Sequence, residues 1–399
     1  MRILAFADAH LPTSSGGVGD ILREITGPTP PDIVLFCGDL TRGSGPVIEY
    51  EALKETLALM MEMERREIPS VWVEGNHRPK GDEAIPPLGA LQALRLRYSH
   101  LVVEEPAVIP LQTPKGESLL VLAIPYHPNR PQHELLDEGR SLLRAQLKPK
   151  QKRPVVVGIG HLTIDGARCG KGLVIPMPYE EKVKVEEVEN VGCDIFFLGH
   201  IHFPQKWGNV AYCGALENLR WGDCGAGYWV VEKTPQGWRW KRRHSSKATL
   251  YREIQIDHKE QVEQALRWLH SLSPERAQRT NLRISFPLEW GGEEEIEELI
   301  QTAQKTLGGV IVASNNSAPP PTGQGGDTKE ATPPKTLGLW GGNPEDLLQA
   351  HLPNYAPNAS PEELEALIKL FREVVYSSPN SRRRKKEERE NGEKGGNNE

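Results

Sequence analysis

Between residues 2 and 202, short apolar runs end repeatedly in a glycine or small residue and then in Asp, Asn or His. "RILAFA" (2–7) leads into Asp8-Ala9-His10, and "DIVLFC" (32–37) into Gly38-Asp39. "SVWVEG" (70–75) leads into Asn76-His77, "PVVVGIG" (154–160) into His161, and "DIFFLG" (194–199) into His200-Ile201-His202. Several of these runs are apolar almost throughout, the pattern of strands covered on both faces. Between them, "EYEALKETLALMMEMERRE" (49–67) has the length and spacing of a helix with one face on a sheet. Strands alternating with helices predict an α/β fold. In an open sheet of that class, ligands bind just beyond the carboxyl ends of the strands. The polar residues that follow the runs should therefore converge on one rim, where glycines let the backbone turn sharply.

Taken singly, a strand-end Asp, Asn or His is more often a turn residue than a ligand. Five such endings in order, drawn from three ligand chemistries, call for another explanation. Clustered carboxylates and imidazoles without partners are costly to bury. A mixed set of nitrogen and oxygen donors suits Mn²⁺, Fe²⁺ or Zn²⁺, and the lack of cysteine among them argues against a structural zinc. A carboxylate such as Asp39 can bridge two ions roughly 3.5–4 Å apart, which together activate a water for in-line attack. His200 and His202 then supply one ligand to each ion.

The remaining sequence extends this unit and adds others. "SLLVLAIP" (118–125) is a further strand, and "KWGNVAYCGAL", "GYWVVEK" and "GWRWKRRH" predict antiparallel strands that close a first domain at residue 250. Residues 251–314 read strand, helix, strand, helix, strand, a small α/β domain. Residues 315–342 begin with "NNSAPPPTGQGGDTKEATPPKT", a composition that buries no core and reads as a flexible linker. Residues 343–377 form two helices, the second capped by Ser360, Pro361 and Glu363. On that helix Leu364, Leu367, Ile368, Phe371, Val374 and Val375 make an apolar stripe at helical spacing. Such stripes are usually core, but a stripe on a long tether fits a helix-in-groove docking device for a partner. Residues 378–399 read as a charged tail of mixed sign, expected to be disordered.

The net charge of −6 gives no overall basic field, so any grip on nucleic acid must be local. In "GWRWKRRH", alternation puts Arg239, Lys241 and Arg243 on one face, where they could meet phosphates, or simply protect an edge strand. Five scattered cysteines without a CxxC pair predict free thiols in a reducing compartment. No signal-peptide core and no bilayer-length apolar run are visible, so a cytoplasmic protein without membrane attachment is expected.

The series DxH, GD, GNH, GH, GHxH resembles the calcineurin-like metallophosphoesterase superfamily. The resemblance implies a four-layer α-β-β-α sandwich and a pair of divalent ions, with manganese expected. It implies that Asp8, His10, Asp39 and His202 hold one ion and that Asp39, Asn76, His161 and His200 hold the other. His77 would steady the phosphate and protonate the leaving oxygen. "MRILAFADAHL", "IPYHP" (124–128) and "YCGALENLRWGDCGAGYWVVE" (212–232) are similar to the SbcD family of DNA repair nucleases. That resemblance implies 3′-to-5′ exonuclease and hairpin endonuclease action near the nucleoid. It further implies a DNA-capping role for 251–314, docking of the helix pair on an SbcC-like coiled-coil ATPase, and a homodimer. A phosphodiesterase acting on cyclic or linear nucleotides is the alternative. The family usually has an acid where this chain has Arg78, and an aromatic with Asp or His where it has Leu40-Thr41-Arg42. Arg78 and Arg42 are expected to add phosphate contacts at the rim.

Overall fold

The computed structural model describes residues 1–11, 15–42, 50–78, 86–147, 153–170, 181–287, 290 and 293–315. All lie in the first of the chain's two units, Met1–Ala318. The expected linker, the docking helices with Leu364, Leu367, Ile368, Phe371 and Val374, and the tail lie outside the described residues.

Elements run β1 (Arg2–Phe6), α1 (Ser15–Thr26), β2 (Ile33–Phe36), α2 (Tyr50–Arg65), β3 (Ser70–Val73), α3 (Pro87–Gln92) and β4 (Ser99–Val102). They continue β5 (Ala107–Gln112), β6 (Ser118–Ile124), α4 (Gln132–Gln146), β7 (Val155–His161), α5 (Val185–Glu189), β8 (Ile195–Gly199), β9 (Gln205–Trp207) and β10 (Val210–Tyr212). β11 (Gly227–Thr234) and β12 (Gly237–His244) follow. Then come β13 (Leu250–Gln255), α6 (Lys259–His270), α7 (Pro274–Gln278), β14 (Thr280–Pro287), α8 (Glu294–Thr306) and β15 (Gly309–Asn315).

Two six-stranded sheets carry the first 244 residues, in the orders β12-β11-β1-β2-β3-β4 and β5-β6-β7-β8-β10-β9. Their central strands, β1 to β4 in one and β6, β7, β8 and β10 in the other, are parallel. The period of two along each strand explains the layering. In β1 and β2, Ile3, Ala5, Ile33 and Leu35 face the other sheet and meet Val121, Val157, Ile159, Ile195 and Phe197. Their alternates Leu4, Phe6, Val34 and Phe36 face outward under α1 and α2, against Ile21, Ile25, Met60 and Met63. On the second sheet, Leu122, Ile124, Phe196 and Leu198 pack with Leu135 and Leu136 of α4. The result is a helix–sheet–sheet–helix sandwich. Each fully buried Ile, Leu, Val or Phe in it contributes about 1.5–3 kcal/mol.

On β12 the aromatic face turns inward, with Trp238 and Trp240 against the inter-sheet core and Arg242 stacked over Trp229. Arg239 and Lys241 face outward and are exposed. Arg239 stands opposite Glu232, which pairs with Arg2, so it sits at the end of β1 far from Asp8. Arg243 is half-buried and ion-paired to Glu24 at 3.2 Å. The expected basic face is thus interrupted, and its most exposed members lie away from the strand ends.

A third sheet, β13-β14-β15, is parallel throughout. β14 alternates buried and half-buried residues, so one face is covered. Val262, Ala265 and Leu269 of α6 and Ile296, Leu299 and Ala303 of α8 cover it.

Candidate metal centre

The carboxyl ends of β1, β2, β3, β7 and β8 meet where the two large sheets abut, and all seven candidate ligands lie there. Asp8, His10, Asp39 and His161 are buried, and Asn76, His200 and His202 are half-buried. Ligand atoms of Asp8, His10 and His202 lie within 4.8 Å of one another, as do those of Asp39, His161 and His200. His10, Asp39 and His77 form a third such group.

The backbone is bent to achieve this. Among the described residues, six that are not glycine adopt positive φ, and four of them are Asp8 (48°), His10 (45°), Asp39 (58°) and His200 (95°). Such conformations cost about 1–3 kcal/mol each and persist where surrounding structure fixes them. Here Asp8 N donates to Gly38 O at 2.9 Å, His10 N to Asp39 O at 3.1 Å, and His200 N to Asp8 Oδ1 at 2.9 Å. Gly38 has φ +99°, and a Cβ there would meet His161 Nδ1 at 2.2 Å.

The hydrogen bonds fix which atoms can accept a cation. His161 Nδ1 lies 2.8 Å from Cys37 O. A carbonyl only accepts, so Nδ1 carries the proton and Nε2 points its lone pair inward. That Nε2 lies 2.8 Å from Asn76 Oδ1 and 3.4 Å from Asp39 Oδ2, both acceptors. His200 Nδ1 reaches the same Asn76 Oδ1 at 2.9 Å. On the other side, His202 Nδ1 donates to Asp223 Oδ2 at 3.3 Å, which aims Nε2 at His10 Nε2, 3.0 Å away. Asp8 Oδ2 is buried without a hydrogen-bond partner. Acceptors facing acceptors, beside an orphaned carboxylate oxygen, are stabilised by a cation between them.

Without a cation the cluster compensates by protonation. Burial alone would lower His161, but the charge and hydrogen bond of Asp39 outweigh it and raise it to about 9. Burial alone would raise Asp39, but His161, His77 and His10 hold it well below the carboxylate range. Burial pushes His10 down to about 3 and, against the attraction of His161 and His202, raises Asp8.

A sequence model of calcineurin-like phosphoesterases matches residues 1–204. The chain belongs to the calcineurin-like phosphoesterase family. It is a metal-dependent phosphoesterase of that type. None of the curated proteins searched matches it. Among solved structures it is similar to GAP50, described as the anchor in the inner membrane complex of Plasmodium. Identity there is 13%, with 62% of this chain and 85% of that one covered and a TM-score of 0.41. It is also similar to a single-substitution variant of Vps29 from Entamoeba histolytica, at 14% identity, 61% and 98% coverage, and a TM-score of 0.27.

Members of this family bind divalent metal ions, and the donor set fits that role. Asp8, His10 and His202 converge on one side, Asn76, His161 and His200 on the other, and Asp39 lies between. Asp39 Oδ1 also accepts the amide of His77 at 2.9 Å, which ties two strand ends together.

The neighbouring candidates divide. His77 Nδ1 donates to Arg42 O at 2.7 Å, which leaves Nε2 as the working nitrogen, 3.8 Å from Asp39 Oδ2. The Arg42 side chain is exposed, and its charge opposes the rise that burial gives the Tyr251 phenol. Arg78, expected at the rim, instead directs three N–H bonds at backbone carbonyls. These are Gly75 O (3.3 Å), Val103 O (3.2 Å) and Tyr126 O (2.7 Å).

Two residues escaped the sequence reading. Asp223 orients His202, as a carboxylate often orients a metal-binding imidazole, and its only sequence signal was its place in "RWGDCG". Glu74, next to Gly75, is buried, accepts the amide of Leu88 at 2.9 Å, and is raised by burial to about 7. Among the described residues no helix is long and apolar enough to cross a membrane.

Proposed function

We propose that this phosphoesterase is a DNA nuclease of the SbcD type, acting on broken or hairpin DNA ends with a coiled-coil ATPase partner. The observation that carries the reading is the small sheet at 250–315, joined to the rim of the metal cluster. Tyr251 packs on Trp221, ring centroids 5.0 Å apart, and Trp221 lies two residues before Asp223. A module at the rim can guide a polymer into the site, whereas a phosphodiesterase for single nucleotides has no use for it. The motifs at 1–11, 124–128 and 212–232 support the same choice.

When bound, a pair of divalent ions lowers the pKa of water and stabilises charge developing on a phosphoryl group. The chain's own residues do the rest. Asp8, His10, Asp39, Asn76, His161, His200 and His202 would hold the ions; their mixed nitrogen and oxygen donors suit Mn²⁺, Fe²⁺ or Zn²⁺, and the SbcD resemblance favours Mn²⁺. His77, its Nδ1 proton fixed on Arg42 O, presents Nε2 to the departing sugar oxygen and, when protonated, donates to it. Arg42 stands where an exposed cation can meet a backbone phosphate. Residues 251–314 would cap the DNA, and the helix pair at 343–377 would dock on the ATPase.

The test is the purified protein with Mn²⁺ on linear duplex and hairpin DNA, beside His77→Ala. Shortening of duplex and opening of hairpins, both lost in the variant, is expected. Efficient hydrolysis of cyclic nucleotides with DNA left intact would select the small-substrate reading.

A further inference from the structure

The loop at 217–223 is bonded in two directions. Inward, Asp223 Oδ2 accepts from His202 Nδ1 at 3.3 Å and from Leu219 N at 3.0 Å. Asp223 is buried. Outward, five contacts tie the loop to Thr249, just before β13, and to the small sheet itself. Glu217 Oε1 accepts Thr249 N at 2.5 Å, and Asn218 Nδ2 donates to Thr249 O at 2.7 Å. Tyr251 Oη donates to Leu219 O at 3.4 Å. Trp221 packs edge-on against Tyr251, and the Arg283 guanidinium of β14 lies 4.6 Å from its ring centre.

We propose that Trp221 is a positioning residue through which the small sheet sets the metal affinity of the Asp8/His10/His202 side of the site. An imidazole ligand binds well when its second nitrogen is held by a fixed acceptor. For His202 that acceptor is Asp223, whose carboxylate also closes the loop on Leu219 N. Tyr251 holds the carbonyl of that same Leu219, and Trp221, in contact with both Tyr251 and Arg283, fixes the loop between Leu219 and Asp223. Moving the sheet therefore moves Asp223, and the direction and hold of His202 follow. His161 is fixed by Cys37 O on β2's end, and the His200 amide donates to Asp8 Oδ1. The ion position that His202 serves should therefore respond most strongly. By reciprocity, an ion bound there should stiffen the junction with the sheet.

This inference rests on the two-ion reading of the cluster but not on DNA as substrate. The experiment is a Mn²⁺ titration of the full chain followed by calorimetry and electron paramagnetic resonance, with no substrate present. Wild type should bind two ions and give a spin-coupled signal. Trp221→Ala should weaken one ion about tenfold and replace much of the coupled signal by that of an isolated ion, with the second ion less affected. Asp223→Ala should do the same by about 10–100-fold, the usual range for losing such a partner. Trp221→Phe, which keeps a ring beside Tyr251 and Arg283, should restore the coupled signal. Tyr251→Ala, a change on the sheet side with the loop sequence intact, should reproduce the Trp221→Ala effect and guards against a loop that merely misfolds. Two ions bound at wild-type affinity in both Trp221→Ala and Tyr251→Ala would overturn the proposal while leaving the metal centre intact. A wild-type protein that holds fewer than two ions would overturn the centre itself, and the coupling with it.

Discussion

Asp39 and His161 meet across the two large sheets, with Oδ2 of the carboxylate 3.4 Å from Nε2 of the imidazole. In the metal-free protein this pair keeps His161 protonated up to about pH 9, although burial alone would lower it. A cation needs the same Nε2 lone pair, so binding must displace that proton. Calorimetric titration with Mn²⁺ at pH 7.5, in two buffers of different ionisation enthalpy, should report release of about one proton from this group. Affinity should rise from pH 7 towards 9 and level off above it. Binding heats that do not depend on the buffer would contradict the assignment.

His77 differs from the ligands in exposure: 39% of its side chain is open to solvent, against 2% for Asp39. A proton donor has to reach substrate, and a buried ligand does not. His77→Ala should therefore keep both ions and lose about 10²–10⁴-fold in turnover, the usual worth of a positioned acid or base. The comparison is metal content by elemental analysis beside kcat on a phosphodiester. Loss of an ion in this variant would make His77 a ligand.

Glu74 gives the protein a pH dependence of the opposite hand from that of an ion-paired carboxylate. Burial raises it from 4.5 to about 7 in the folded chain. Its folded state therefore holds the proton more tightly than the unfolded one, and the benefit is whole below pH 4.5. It fades as pH rises through 7 and is gone above that, a loss of about 3 kcal/mol for a shift of this size. Urea unfolding of metal-free protein between pH 5 and 8 should show wild type losing stability relative to Glu74→Gln. Parallel curves for the two proteins would remove Glu74 from the account.

Much of this fold is legible because apolar period and strand-end chemistry agree. β1, β2, β3, β6, β7 and β8 all fall within one to two residues of the runs read from sequence. The same holds for β11 and β12 and for the strand–helix order read over 251–314, apart from the short α7 between α6 and β14. What escaped reading lacks such agreement. β5, "AVIPLQ", carries a proline and is mostly half-exposed, so its period is weak. α4 begins after Pro131 with Gln132-His133-Glu134 and carries polar residues throughout. The cluster of candidate ligands is legible because each follows a strong strand. Asp223 follows none: it sits in a loop, and its partner is 21 residues away. The partners of Arg78 were hidden for a related reason. Sequence puts a cation beside Asn76-His77, but the carbonyls that capture it, of Val103 and Tyr126, come from distant segments.

Gly199 ends β8 where the second sheet touches the first. A Cβ at this position would lie 1.9 Å from Cys37 O and 2.9 Å from His161 Nδ1. The backbone oxygen cannot move without pulling β2 and the Gly38-Asp39 turn with it. Gly199→Ala should cost about 1–3 kcal/mol or more from overpacking and should also weaken metal binding, since Cys37 O anchors His161. Thermal unfolding with and without Mn²⁺ measures both. A midpoint within a degree of wild type would show that the sheets can part at no cost.

Arg78 and Arg42 stand near the same histidine but are held differently, and paired variants should separate their roles. Arg78 braces three backbone carbonyls with one guanidinium, so its loss leaves buried acceptors unmatched. Arg78→Ala should lower stability on the order of 2–4 kcal/mol while DNA affinity of the protein that remains folded changes little. Arg42 has an exposed side chain whose removal should cost no more than about 0.5 kcal/mol. If it meets a phosphate, Arg42→Ala should weaken binding of every DNA sequence alike and reduce the slope of log affinity against log salt by about one. Filter binding or anisotropy over a salt series, beside urea unfolding, places each variant on these two axes. A salt slope reduced as much by Arg78→Ala as by Arg42→Ala would return Arg78 to the rim and take the loop-bracing role away from it.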